Sequence, residues 1–325
     1  MASFKYNNVY INDFYSIAGP VEKAGKIKNY DETIDDYYWQ EKNFENCEVK
    51  MQKRVMDSIL KRNKLSESLV DLVVGGDLLN QISSTSYNIK EFQIPFIGVY
   101  CACAIFPSSL IILANFIEGQ FINNGIAITS SHNLNSEKQF RFPVEYGAPK
   151  PLRTTFTATG AAAMYISNKK SKYKIESGTI GKVIDFGQKD VFNMGAIMAP
   201  AVASVLISHL TELKRSINYY DLILTGDLGL VGVDILKEYL KINNKIRLKN
   251  HIDAGTQLYN YEKQEVYSGA SGPVVLPLYL FNKILKVNKY KKILIIGTGS
   301  LHSLVMVNEK NTVPAIAHAV SLEVK

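Results

Sequence analysis

The amino-acid sequence predicts an α/β protein made of two duplicated halves, with mostly parallel central sheets covered by helices. Three observations carry this. The chain has 325 residues, 46% hydrophobic and 21% charged, which suits packed cores and excludes a disordered or low-complexity chain. Short apolar runs alternate with helical patterns, as in sheets built with helical crossovers. The chain also repeats itself: DLVVGGDL at 71–78 returns as DLILTGDL at 221–228, a period too long for a solenoid.

The elements follow in order. MQKRVMDSILKRNKL (51–65) and VASVLISHLTELKRS (202–216) are helical patterns with basic last turns, one before each copy. The two DL runs are buried strands that exit into loops at Gly76-Asp77 and Gly226-Asp227. Asp77 and Asp227 are thus equivalent, 227 − 77 = 150 positions apart. VYCACAIFPSSLIIL (99–113) and VYSGASGPVVLPLYL (266–280) both put small residues at a turn before an apolar helix. NNGIAITSSH (123–132) and KKILIIGTGSLH (291–302) form a third pair of strands. Cys103 to Ser130 and Ser271 to Thr298 each span 27 positions at an offset of 168, so the second half holds about 18 extra residues, placed within 229–265. The duplication divides the chain into 1–170 and 171–325, packed as one unit.

The segment from Ile94 to Ile117 has 24 residues and no charge, enough length for a membrane helix. Pro95, Gly98, Pro107, Ser108 and Ser109 divide it instead into a short strand, a turn and a buried helix. The N-terminal residues show no apolar run behind a basic start, so neither a signal peptide nor a transmembrane helix is expected. Three cysteines, Cys47, Cys101 and Cys103, are too few for a disulfide framework and point to a reducing compartment.

Lys and Arg number 37 against 30 Asp and Glu, a net charge of +7. That suits an anionic ligand or a membrane surface. The basic residues are scattered without an aromatic stripe, so no nucleic acid is expected. There is no P-loop and no zinc spacing. GTGSLH (297–302) lacks the last glycine of a dinucleotide fingerprint and the unit that should follow it. The acidic stretch DETIDD (31–36) reads as an exposed loop, with Tyr37, Tyr38 and Trp39 packing locally; EF-hand spacing is absent.

Cys103 ends a strand where a helix begins. A helix N-terminus lowers a thiol's pKa and makes a nucleophile; a lone cysteine in an apolar run is also an ordinary small core residue. Ligands of open α/β sheets bind beyond the carboxyl ends of the strands. Asp77, Cys103, Ser131-His132, Asp227, Ser271 and Ser300-His302 converge there. His132 either donates to a ligand carboxylate or bonds locally, and His302 lies at the matching end of the other half. Asp77 caps a following turn, or meets a carboxylate ligand through calcium. Lys138, Arg141 and Arg153 offer carboxylate pairing or form a solvated basic loop. His209, His251 and His318 lack metal-ligand spacing and read as structural.

These halves, with Cys103, GASG (269–272) and GTGSLHS (297–303), resemble the thiolase-like fold, layered α/β/α/β/α. GDLLNQ (76–81), SSHNLNSEKQFRFPVEYG (130–147), TGDLG (225–229) and IAHAVSLE (316–323) closely resemble the stage V sporulation protein AD family of spore-forming bacteria, over nearly the whole chain. The resemblance implies a protein that binds dipicolinic acid, pyridine-2,6-dicarboxylate, and serves its uptake with calcium into the developing spore. The implied partners are membrane proteins of the same sporulation operon, and the implied place is the forespore or spore, peripheral to the inner membrane. A homodimer is implied by analogy with related enzymes. No cofactor is implied beyond calcium accompanying the ligand.

Enzymes of this fold pair the cysteine with histidines. In thiolases one histidine precedes the small-residue turn of the second half, where this chain has Glu265-Val266-Tyr267-Ser268. In synthases of the type III kind a histidine follows the first strand of that half, where Thr225-Gly226-Asp227 stand. The run at Ile295–Gly299 also lacks the thiolase second cysteine. Cys103 thus resembles a nucleophile without helpers, a vestigial site turned binding pocket. The expected lining is Cys103, Asp77, Ser131, His132, Arg141, Ser271, Gly299 and His302. The chain departs from the family pattern at Cys101, where glycine or alanine is usual, and at His302, where methionine is usual. The alternative is an acyltransferase or condensing enzyme, dependent on acyl-CoA or acyl carrier, that uses Cys103.

Overall fold

A computed structural model describes residues 1–140 and 150–325. The first half runs β1 (Ala2–Lys5), β2 (Tyr10–Ala18), α1 (Pro20–Ala24), β3 (Glu32–Thr33), α2 (Phe44–Asn63), β4 (Val73–Gly76), α3 (Ser83–Ile89), β5 (Phe96–Gly98), α4 (Ile105–Glu118), β6 (Asn124–Ser131), α5 (Asn133–Phe140), β7 (Phe156–Thr157) and β8 (Gly160–Ser167). The second runs β9 (Tyr173–Ile180), α6 (Met194–Glu212), β10 (Leu222–Thr225), α7 (Gly229–Asn244), β11 (His251–Asp253), β12 (Ala270–Ser271), α8 (Val275–Tyr279), β13 (Lys292–Ser300), α9 (Leu304–Asn308) and β14 (Ala315–Val324).

Helix α2 starts where the Asn43 side chain accepts the Asn46 N–H at 2.7 Å, an ordinary N-cap. Cys47, Met51, Val55 and Ile59 recur every four residues and are buried, so one stripe packs on β2, β6 and β8. Asn193 caps α6 in the same way. By length and composition α6 could cross a membrane, but here most of it is buried against β9, β13 and β14. The uncharged 94–117 segment is divided into β5, a turn and α4, but Pro107, Ser108 and Ser109 lie in the first turns of α4 and do not break it, because a proline is tolerated where the N–H has no helical partner.

The strands form one 12-stranded sheet in the order β11-β10-β13-β14-β9-β2-β8-β6-β4-β5, with β1 on β9 and β3 on β2. The outer three strands of each half are parallel. The inner ones are antiparallel, so the expectation of mostly parallel sheets holds only at the two ends. Connection length explains the difference. A crossover helix must carry the chain back along the sheet; α9 has five residues, about 8 Å, against about 30 Å for a nine-residue strand such as β13.

Helices α4 and α8 lie between the two halves of the sheet, α2 and α3 cover one outer face, and α6 and α7 cover the other. This gives five layers, α/β/α/β/α, with one hydrophobic cluster in the middle and one under each outer pair. The halves join where β9 pairs with β2 through Tyr10–Lys174 and Ile11–Tyr173, and the chain passes between them at 168–172. The first strand is exchanged: β1 pairs with β9 of the second half. The offset between equivalent strands is 222 − 72 = 150 at the start of β10, 251 − 96 = 155 at β11 and 271 − 103 = 168 at Ser271. Thirteen of the extra residues (168 − 155) therefore lie between β11 and β12.

Candidate functional site

Cys103 sits in a tight turn, residues 102–104, that leads into α4. Ala102 has φ +46°, a left-handed conformation that non-glycine residues rarely hold and that concentrates at functional turns. Strand β13 lies directly against this turn. A Cβ on Gly299 would come 2.5 Å from the Cys101 carbonyl oxygen, and one on Gly297 would come 2.4 Å from Pro107 Cγ. The glycines of GTGS thus let the strand approach the turn. Gly299 supports the site from behind and does not line it.

In front of Cys103 is a cavity of about 40 Å³. Its polar wall holds Cys103, Ser136, Thr157, Ser271, Ser300 and His302. Leu78, Tyr100, Phe140 and Met194 close it with apolar surface. A second cavity of about 390 Å³ shares Tyr100, Phe140 and His302 with the first. The Phe140 and His302 rings are tilted together at 5.5 Å. Among the described lining residues of both cavities there is no Lys or Arg.

The Cys103 Sγ lies 3.7 Å from Ser271 Oγ. Ser271 donates to Asp227 Oδ2 at 3.1 Å, the Gly272 N–H donates to the same oxygen at 3.3 Å, and Thr298 Oγ1 donates to Oδ1 at 2.5 Å. Burial pushes the Cys103 thiol well above its usual range, and the Asp227 carboxylate adds to that push. Burial also raises Asp227, against the hydrogen bond from Thr298. The expected lowering by the helix terminus is overturned: desolvation and a nearby acid outweigh the dipole, and the thiol keeps its proton.

A cysteine–imidazole pair does exist, but on Cys101. His318 Nδ1 accepts the Gly181 N–H at 3.1 Å, and Nε2 faces Cys101 Sγ at 3.3 Å. Burial holds His318 down at about 4, so the ring is neutral, carries its proton on Nε2 and offers no base to the thiol.

Of the expected lining, the structure brings together Cys103, Ser271 and His302. Asp77 is elsewhere: it accepts the Leu79 N–H at 2.9 Å and both the N–H and hydroxyl of Thr85 at 2.7 Å. It caps the start of α3, which leaves it poorly disposed for a ligand or calcium. Ser131 donates to the Ala158 carbonyl at 2.7 Å and is covered by Gly272. His132 turns away between Tyr37 and Phe44, bonds the Tyr37 carbonyl at 2.9 Å and is held by burial down at about 4. Arg141 lies outside the described residues. Lys138 pairs with Glu45 and Arg153 with Asp190; neither lines the cavity. Tyr100, Ser136, Phe140, Thr157 and Met194 escaped the sequence reading. Ser136 and Phe140 fall inside the distinctive 130–147 segment; Thr157 and Met194 carry no sequence signal.

A cysteine at a strained strand-to-helix turn between two stacked α/β halves defines a protein of the thiolase-like class. Solved structures agree over 98% of this chain: cerulenin-bound OleA of Xanthomonas campestris, covered completely, at TM-score 0.62 and 11% identity, and 3-oxoacyl-(acyl carrier protein) synthase III, FabH, of Xanthomonas oryzae pv. oryzae, also covered completely, at TM-score 0.58 and 12% identity. At that identity they show the fold alone. A profile of the Stage V sporulation protein AD family matches residues 2–323. Stage V sporulation protein AD of Bacillus subtilis (strain 168) is 37% identical over 320 residues, 97% of this chain and 94% of that protein. The chain belongs to the Stage V sporulation protein AD family, and its role is in sporulation.

Proposed function

We propose that this protein binds dipicolinate without catalysis in the Cys103 cavity and serves its passage, with calcium, into the developing spore beside a membrane complex. The observation that carries this reading is the company of Cys103. Its thiol faces Ser271 and Asp227, where a thioester enzyme needs a histidine to move protons. The hydroxyls of Ser136, Thr157 and Ser300 are hydrogen-bond donors suited to carboxylate oxygens, while the Ser271 proton is given to Asp227. The inner cavity, at about 40 Å³, has room for about one water. An aromatic dicarboxylate therefore enters only if Phe140 and His302 part and join it to the outer cavity. The test is thermal unfolding with dipicolinate, with and without calcium. Ligand at about 100 times its Kd adds about 2.7 kcal/mol; no shift at millimolar ligand overturns the proposal.

A second reading, an acyltransferase or condensing enzyme using Cys103, is favoured by the shared fold with OleA and FabH. It expects an acyl adduct by intact mass after incubation with acyl-CoA, lost in Cys103→Ser. Absence of adduct across several chain lengths rejects it.

A further inference from the structure

On the far side of α5 and β7 from Cys103 lies a cleft of about 630 Å³, a volume typical of ligand sites. Leu134 and Phe156 face it, while their near neighbours Ser136 and Thr157 face the Cys103 cavity. The two compartments are therefore separate. The cleft wall includes the acidic stretch that reads from sequence as an exposed loop.

Its chemistry is distinct. Tyr37, Tyr38, Phe44 and Phe156 contribute rings, and Asp35, Asp36 and Glu265 contribute carboxylates. No Lys or Arg is among the described lining residues, in a chain of net charge +7. The surface is held in place. Asp36 Oδ1 accepts the N–H groups of Tyr38 and Trp39, each at 2.8 Å. Tyr38 packs on Phe44 at 4.6 Å, and Phe44 stacks on His132 at 5.3 Å. Gln264 donates to the Val21 carbonyl at 2.7 Å and accepts the Asn260 N–H at 2.7 Å, which fixes the loop that carries Glu265. Glu265 itself is exposed. Two lysines of the rim already use this chemistry: Lys23 meets Asp35 at 2.5 Å, and Lys138 reaches over the Phe44 ring at 5.9 Å.

We propose that this cleft docks a basic segment of a partner protein. One Lys or Arg side chain lies over Tyr38 and Phe44, a cation–π contact, with its charge toward Glu265 and Asp36. An adjacent apolar side chain covers Val21, Leu134 and Val266 on the floor. A small ammonium ion would leave that floor uncovered, and an anion would meet the Asp36 and Glu265 carboxylates, Asp35 being paired with Lys23, so charge and apolar area together select a peptide.

The test uses fluorescein-labelled acetyl-Leu-Arg-Arg-Leu-amide, with Glu-Glu and Gln-Gln counterparts, in fluorescence anisotropy with the full chain. The basic peptide is expected to bind at least about tenfold tighter than either counterpart. Glu265→Lys and Tyr38→Ala are expected to weaken it about tenfold, and Glu309→Lys, the same charge change on a distant exposed site, to leave it unchanged. Equal binding of the three peptides, or no binding of the basic one at millimolar concentration, overturns the proposal. So does a loss in Glu309→Lys equal to that in Glu265→Lys, which means net charge alone. Arginine amide competing as tightly as the peptide also overturns it, in favour of a small-cation site. The dipicolinate thermal shift of Glu265→Lys is read in parallel and stays at the wild-type value, so failure here is separate from failure at Cys103.

Discussion

The Ser136 hydroxyl is buried in the wall of the Cys103 cavity and has no hydrogen-bond partner among the described residues. A buried donor without a partner costs stability, so its retention fits a ligand contact. Ser136→Ala is expected to keep or raise folding stability, since it removes the unpartnered buried hydroxyl, while weakening dipicolinate about tenfold, one hydrogen bond to a charged group; denaturation and calorimetry separate the two. Asp227 offers a second probe. Its carboxylate helps push the Cys103 thiol up, so Asp227→Asn is expected to move the pH midpoint of iodoacetamide alkylation at Cys103 downward. An unmoved midpoint refutes that coupling. Cys103 and Ser271 were legible as residues because the duplication aligned them. Ser136 was not, since a serine inside a polar helix looks the same whether it faces water or a cavity.

At the scale of elements, β13 and the 101–104 turn depend on each other. Gly299→Ala brings a methyl to within 2.5 Å of the Cys101 carbonyl. Overpacking of this kind costs about 1–3 kcal/mol, and strand and turn must separate to relieve it. The variant is expected to lose both thermal stability and dipicolinate binding; full binding in a folded Gly299→Ala refutes the support role. Helices α2, α4 and α6 were readable because apolar periodicity and basic or small-residue ends are local signals. The antiparallel return of β8 and β14 was not, because strand direction depends on where the connection lies, not on the strand's own residues.

Across the whole molecule, burial couples stability to pH. Glu22 is fully buried, and burial pushes its carboxyl up to about 7, against the hydrogen bond from Tyr259. The unfolded carboxyl titrates near 4.5. Between these values the folded chain keeps a proton that the unfolded chain has released. This contribution is fully present below about 4.5 and is lost as pH rises through about 7, roughly 3 kcal/mol in all. Glu22→Gln is expected to flatten the fall of Tm between about pH 5 and pH 8; an unchanged slope refutes the assignment. His132, His209, His251 and His318 act oppositely: burial lowers each, so their neutral forms favour folding above the ordinary histidine range and oppose it in acid.

The sequence by itself determined the duplication, the five-layer α/β class, the family and the place of Cys103 at a strand-to-helix turn. The duplication and the turn rest on periodicity, turn chemistry and spacing, which act over a few residues; the layering and the family rest on the resemblance carried by the 76–81, 130–147, 225–229 and 316–323 segments. Only the tertiary structure decided the company that Cys103 keeps. Asp77, Ser131 and His132 end their strands as the alignment of halves requires, yet Asp77 turns to the Thr85 donors, Ser131 to the Ala158 carbonyl and His132 to the Tyr37 carbonyl. Asp227, in the same position of the other half, turns inward instead to Ser271 and Thr298. Position along a strand is set by the chain, but the direction of a side chain and the charge it keeps are set by burial and by partners brought from distant segments.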